Sequence, residues 1–214
     1  MTALTRTPVV LLLGAAVAWA VTVERMWGMD EGPGTDLGSL GWYLGVWVTM
    51  MAAMMIPSTV RVARAVVFAV GYLAVWTAFG LAAYAAFRSG VSTEVAGLLI
   101  VAAGVYELTP LKRRSLRRCR SPEGSEGAFR SGIAHGLDCV GSSAGLMVAL
   151  FALGVMSILW TAVVAAAIFA EKVLPRGPLL SRGVALGLLV LGAWVALDAG
   201  SVPGLGEPME MMAR

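Results

Sequence analysis

The sequence predicts an all-α protein: a polytopic transmembrane helical bundle of about seven spans, with its N-terminus in the cytoplasm. Only 14% of the residues are charged, against roughly a quarter in soluble domains, and 58% are hydrophobic. Uncharged runs of spanning length recur along the chain, which leaves no room for a separate soluble domain in its 214 residues. We therefore expect a single integral domain over residues 1–214 of a multi-pass protein of the cell membrane, surrounded by the lipid bilayer.

Charged and turn-forming residues divide the chain into its predicted spans. The segment 131–170 is 40 residues long, too many for one crossing and enough for two, with a turn predicted at Gly154–Ser157. The spans are predicted at residues 7–23, 40–58, 65–87, 95–111, 132–153, 157–171 and 183–199. Residues 112–131 are predicted to form a basic cytoplasmic loop, about as long as one short amphipathic helix.

The positions of the basic residues support this count and orientation. Sixteen Lys and Arg occur in the chain, and only Arg25, Arg88 and Arg214 fall on the predicted outer side. Such a bias follows the positive-inside rule. It also explains the pI of about 9.2 without a nucleic-acid partner. The basic loop would attract anionic lipid headgroups.

The first span has an alternative interpretation. Arg6, the short apolar stretch after it and Ala18-Trp19-Ala20 are also typical of a secretory signal with its cleavage site. Cleavage there would leave six spans and place the new N-terminus outside, while the loops that follow would keep their sides.

The predicted second span is rich in methionine. At about 100° per residue, one face of this helix carries several large side chains: Trp47, Met50, Met51 and Met54, with Met55 at its edge. A row of thioethers inside a membrane is either adaptable core packing or a site for a soft metal ion. The choice between these two interpretations depends on which side chains the methionine row contacts.

A second face with metal-binding side chains is predicted on the fifth span. Its stripe holds His135, Cys139, Ser142, Ser143, Leu146 and Met147 at spacings of three and four. If the two faces meet, four side chains would surround one ion, with Met147 deeper: Met50, Met54, His135 and Cys139. Met51, Glu107 and Asp138 are weaker candidates. Imidazole, thiolate and thioether together favour copper as Cu(I) over zinc, calcium or magnesium.

The two carboxylates near this face need partners. An unpaired charge at mid-depth in a bilayer costs at least about 2.5 kcal/mol. We expect Lys112 or His135 to pair with Glu107 and Asp138, and one of the two carboxylates to pair with His135. The other groups also have a purely structural interpretation. Cys139 would pack as a small hydrophobe, and Ser142 and Ser143 would permit close contact between helices.

Several motifs occur in one order over residues 40–185. They are the Trp-x-x-Met-x-x-Ala-Met-Met-x-Pro pattern at Trp47–Pro57, Leu108-Thr-Pro-Leu-Lys112, Cys119-Arg-Ser-Pro122, His135-Gly-Leu-x-Cys139-x-Gly141, Leu146-Met147 and Glu171-Lys172. Together they resemble a domain-of-unknown-function family of predicted metal-binding integral membrane proteins. The resemblance implies a membrane protein that handles a metal ion.

The chain departs from that family at three cysteine positions. The family pattern implies cysteines where this sequence has Ser115, Ser142 and Ser143, and a glutamine where it has Glu107. Serine is a poor ligand for a soft metal, so a site that relied on all the cysteines would be weakened. The histidine, Cys139 and the methionines remain.

The sequence therefore supports two functions. The first is a metal-binding integral membrane protein that binds or handles Cu(I) at a Met/His/Cys site in the inner half of the bilayer. The alternative is a non-catalytic scaffold or accessory subunit of a larger membrane complex, with a degenerate metal site. Either would act with a membrane, periplasmic or extracellular partner protein. Because no phosphate loop, His-Glu-x-x-His or nucleophile elbow occurs, and histidine occurs once, an enzyme is the weaker expectation.

Overall fold

The computed structural model describes residues 3–28, 36–59, 66–121, 127–175, 177–198 and Val202. Within these segments the chain forms helices and no strands, which agrees with the all-α prediction. The helices are α1 (Ala3–Met26), α2 (Leu40–Thr59), α3 (Val66–Phe87), α4 (Thr93–Glu107), α5 (Pro110–Arg120), α6 (Ala128–Leu153), α7 (Ile158–Val173) and α8 (Gly177–Asp198).

Five of these helices contain apolar stretches long enough to cross a membrane. The stretches are Val9–Met26, Leu40–Thr59, Val66–Phe87, Ala128–Leu153 and Leu179–Asp198. α4 and α5 are bent by 64° at a short break, and counting the pair as one span brings the number to six. α7 has 16 residues, fewer than the roughly 20 that a straight crossing needs. The count of seven and the cytoplasmic N-terminus remain predictions.

The break between α4 and α5 corrects the predicted fourth span and basic loop. α4 ends at Glu107 rather than 111, because Thr109 caps a new helix by accepting a hydrogen bond from the Lys112 amide. Pro110 occupies the first turn of that helix, where its missing N–H costs nothing. Residues 112–120 of the predicted loop 112–131 are therefore helical, and residues 128–131 already belong to α6.

The break between α6 and α7 lies where the sequence predicts a turn. α6 ends at Leu153 and α7 begins at Ile158. Gly154 has φ of 100°, a conformation that residues with a side chain rarely adopt. The long apolar segment is thus two helices, as its length requires.

Close contacts through glycine define the helix directions. α3 and α6 are parallel, because Gly71 meets Phe129 near the start of both helices and Gly136 meets Val75 one or two turns later. α4 runs antiparallel to α6, since the Tyr106 hydroxyl donates to the Gly141 carbonyl at 2.6 Å and Gly145, one turn later on α6, lies against the earlier Ala103 carbonyl of α4. α2 runs antiparallel to α3, because Tyr43 and Trp47 donate to the carbonyls of Gly80 and Trp76. The ends of α4 and α7 lie together, since Glu107 and Glu171 both contact Lys112. α2, α4 and α7 therefore end, and α3 and α6 begin, toward one end of the bundle. We call it the basic end, because α5 lies there with its exposed arginines Arg113, Arg114, Arg117 and Arg118.

Gly132 is the tightest of these contacts. A Cβ added there would overlap the Phe68 carbonyl oxygen and lie 3.0 Å from the Tyr72 amide nitrogen. We expect Gly132→Ala to destabilise the protein by about 1–3 kcal/mol, because backbone atoms of α3 cannot move aside cheaply. Thermal unfolding in detergent measures the loss. Gly187→Ala on α8 is the matched control, since nothing lies within 4 Å of its added Cβ. Equal melting temperatures for the two variants would contradict the prediction.

Candidate metal centre at the basic end of the bundle

Cys139 is a buried thiol with polar partners from two other helices. The Tyr72 hydroxyl of α3 lies 2.7 Å from its Sγ, and the Lys172 Nζ of α7 donates to the same sulfur at 2.7 Å. An ammonium group has no lone pair, so the sulfur must be the acceptor of that bond. Cys139 is therefore not a small hydrophobe in an apolar core. It is a polar centre where α3, α6 and α7 meet.

A second thiol approaches the only histidine. Cys119 is on the inner face of α5, and its Sγ lies 3.8 Å from the His135 Nε2. It also interacts with Cys139, and both cysteines are free thiols. The imidazole ring packs against Phe68 and Tyr72, at centroid distances of 5.6 and 5.8 Å. Its Nδ1 is buried without a hydrogen-bond partner among the described residues. This nitrogen is therefore available as a ligand for a metal ion.

A methionine of α2 completes this group. The Met55 Sδ lies 3.9 Å from the Lys172 Nζ, the same ammonium that donates to Cys139. Met55 is fully buried. We call Met55, Cys119, His135 and Cys139 the sulfur cluster. Its members come from α2, α5 and α6, and Lys172 of α7 contacts two of them.

The predicted ligands divide into two groups. His135 and Cys139 belong to the sulfur cluster. Side chains of α2 reach α6 at the other end of α2, where the rings of Trp47 and Phe151 are 5.3 Å apart. At the sulfur cluster, the Lys172 ammonium lies between Met55 and Cys139. Met50 is directed elsewhere, with its Sδ 3.9 Å from the Thr161 hydroxyl of α7. Met51, Met54 and Met147 are buried in the core, and Asp138 is half-buried on α6. Met55, at the edge of the predicted methionine row, is the member that contacts the Lys172 ammonium beside Cys139.

A buried ion triad lies beside the sulfur cluster. The Lys112 ammonium of α5 contacts the Glu107 carboxylate of α4 and, at 2.7 Å, that of Glu171 on α7. All three side chains are buried. The expected pairing of Glu107 with Lys112 is confirmed. The expectation that His135 pairs with a carboxylate is wrong, because His135 contacts Cys119 and two aromatic rings instead.

The donor set fits a soft cation. Within the described segments, no three side chains of His, Cys, Asp or Glu converge closely enough to hold a metal ion by themselves. An ion shared across the sulfur cluster would therefore also need the Met55 thioether. Thiolate, thioether and imidazole are the ligands that Cu(I) prefers, whereas Mg²⁺ and Ca²⁺ require oxygen. The unpartnered His135 Nδ1 adds a further available donor.

Sequence reasoning missed four residues of this site: Met55, which it placed only at the edge of the methionine row, Tyr72, Cys119 and Lys172. Cys119 and Lys172 lie in two motifs of the family resemblance, Cys119-Arg-Ser-Pro122 and Glu171-Lys172, which could have drawn attention to them. Tyr72 had no such signal. It reaches Cys139 because α3 and α6 pack in parallel through Gly132.

Fold and site together define an all-α protein with several membrane-length helices and a buried group of soft-metal ligands. The PpoB2 copper chaperone family model matches residues 44–195. The match covers well over half of the chain and includes every member of the sulfur cluster, so this chain belongs to that family. Comparisons with curated proteins and with solved structures gave no match. The family assignment supports the metal-handling part of the sequence resemblance, whereas its individual motifs remain untested.

Proposed function

We propose that this protein binds Cu(I) as cargo at the sulfur cluster and passes it to a partner protein in the same membrane. One observation carries the proposal: two thiols, a thioether and an imidazole from three different helices meet at one buried place at the basic end of the bundle. Membership of a copper chaperone family supports copper as the ion.

The chemistry of the side chains supports a reversible cargo site. Thiolate and thioether sulfurs select Cu(I) from the harder ions of the cell. Thiols on a cytoplasmic face stay reduced, so Cys119 and Cys139 would remain available as ligands. His135 offers an imidazole nitrogen that no other described group uses. Before an ion binds, Tyr72 and Lys172 hold the Cys139 sulfur in place by hydrogen bonds.

Titration with Cu(I) tests the proposal directly. The full-length protein, purified in detergent under anaerobic reducing conditions, should compete with a chromogenic Cu(I) chelator and bind one equivalent. Elemental analysis after removal of the chelator should give the same ratio. A protein that leaves all copper with the chelator would refute a copper function.

Two neighbouring methionines locate the site within the bundle. We expect Met55→Leu to weaken Cu(I) binding by about tenfold, because it replaces a ligand sulfur by carbon at almost constant volume. Met54→Leu is the matched control, since Met54 is equally buried on the same helix. A larger loss in Met54→Leu than in Met55→Leu would instead support the ligand set predicted from the sequence, in which Met50 and Met54 bind the ion together with His135 and Cys139.

The scaffold hypothesis has one observation in its favour. The Ser142 hydroxyl donates to the Cys139 carbonyl at 2.9 Å, and the Ser143 hydroxyl is buried without a partner among the described residues. These two serines occupy positions where the resemblance implies cysteines. A protein that binds no copper but purifies with a stoichiometric membrane partner would favour this second function.

A further inference from the structure

The Lys172 ammonium occupies the place where a soft cation would bind. Its Nζ lies 2.7 Å from the Cys139 Sγ and 3.9 Å from the Met55 Sδ. An ion bound to both sulfurs and the ammonium cannot share that position. The lysine must therefore withdraw when an ion binds, yet its backbone on α7 keeps the positive charge nearby.

The charges around the sulfur cluster can be counted from the described contacts. The Lys112 ammonium balances one of the two carboxylates that it contacts, Glu107 and Glu171. Lys172 balances the other. The remaining charges belong to the cysteine ligands Cys139 and Cys119, since the thiolate and not the thiol binds metals. Arg120 is half-buried, and its guanidinium donates to the backbone carbonyls of Glu171 and Leu174.

We propose that Lys172 is a specificity-determining residue that restricts the sulfur cluster to monovalent soft cations. The inference rests on the proposed function and names its substrate class. Its ammonium is a positive charge that stays beside the bound ion, so it opposes binding more strongly as the charge of the ion increases. Uncompensated charge is costly in a poorly solvated site.

The repulsion from Lys172 depends on the charge of the ion. Coulomb energy is proportional to the product of the charges, so a divalent ion is repelled twice as strongly as a monovalent ion at the same place. Lys172 is half-buried, so solvent screens only part of this effect. Removing the ammonium should therefore improve divalent binding more than monovalent binding.

The test compares Ag(I) with Cd(II), two soft ions that differ in charge. We measure the affinities of both by competition titration in full-length wild type, Lys172→Gln and Lys172→Arg. The wild type should prefer Ag(I). In Lys172→Gln the ratio of the Cd(II) affinity to the Ag(I) affinity should rise about tenfold or more. A tenfold change corresponds to about 1.4 kcal/mol of binding free energy. Lys172→Arg retains the charge and should keep the wild-type ratio.

Two outcomes would overturn the inference. An unchanged ratio in Lys172→Gln, with Ag(I) still bound, would show that the ammonium does not select by charge. A ratio that rises only because Ag(I) binding is lost would show that Lys172 supports the site instead. Lys172→Ala provides a second neutral variant should Lys172→Gln fail to fold. If neither Ag(I) nor Cu(I) binds to the wild type, the proposed function fails first, and the two failures remain distinguishable.

Discussion

Lys112→Met is expected to be among the most destabilising single substitutions in this protein, with a loss of about 3–5 kcal/mol. The Lys112 ammonium contacts both the Glu107 and the Glu171 carboxylate, and all three groups are shielded from water. Removing the lysine leaves two like charges buried next to each other without a counter-ion. Denaturant or thermal unfolding of the full-length protein in detergent micelles measures the effect.

Two further variants identify the cause of that loss. Arg113→Met removes a positive charge from the next position of α5, which is exposed, and should change stability by less than about 0.5 kcal/mol. Adding Glu107→Gln and Glu171→Gln to Lys112→Met should recover most of the stability, because no buried charge then remains. If Lys112→Met were no worse than Arg113→Met, the triad would not hold α4, α5 and α7 together.

Cys139→Ser is expected to have the largest effect on copper binding. Loss of a group that only supports a metal ligand lowers metal affinity about 10–100-fold, so loss of the central ligand should cost about 100-fold or more. Serine has nearly the same shape and can still accept hydrogen bonds from Tyr72 and Lys172, so folding should be retained. Competition with a Cu(I) chelator measures the affinity, and the melting temperature checks the fold.

A gain-of-function variant complements this loss. Ser142 is on the same helix as Cys139 and close to Cys119. Ser142→Cys adds a third thiol at this place and should tighten Cu(I) binding, because sulfur is a far better ligand for a soft ion than a hydroxyl. Cu(I) affinity that is unchanged in both Cys139→Ser and Ser142→Cys would exclude this face of α6 from the copper site.

The fold was more predictable than the site. Helix content and the turn at Gly154 follow from composition, segment length and glycine, which are local properties. The break at Thr109-Pro110 was less apparent, because the apolar character of the chain continues past Glu107 to Leu111 while a capping threonine and a proline end the helix. Capping competes with hydropathy there and determines where α4 stops.

The sequence predicted only the part of the candidate site that lies on one helix. His135 and Cys139 are one turn apart on α6, so periodicity alone places them together. Their partners Tyr72 and Lys172 are 67 and 33 positions from Cys139 along the chain. Which helices bring such residues together depends on close packing through glycines such as Gly132, and no single-helix pattern contains that information. The Met55 contact depends in the same way on how α2 lies against α7.

The aromatic side chains at the opposite end of α2 limit the route of an ion. Trp47 lies in the notch at Gly80, donates to the Trp76 carbonyl at 2.8 Å and contacts Phe151, which stacks on Phe87 at 4.9 Å. These packed aromatic rings fill the space between α2, α3 and α6 at that end. An ion bound near Cys139 would have to leave by the side through which it arrived. Under the proposed function, this packing favours transfer to a recipient that docks at the basic end over passage of the ion through the bundle.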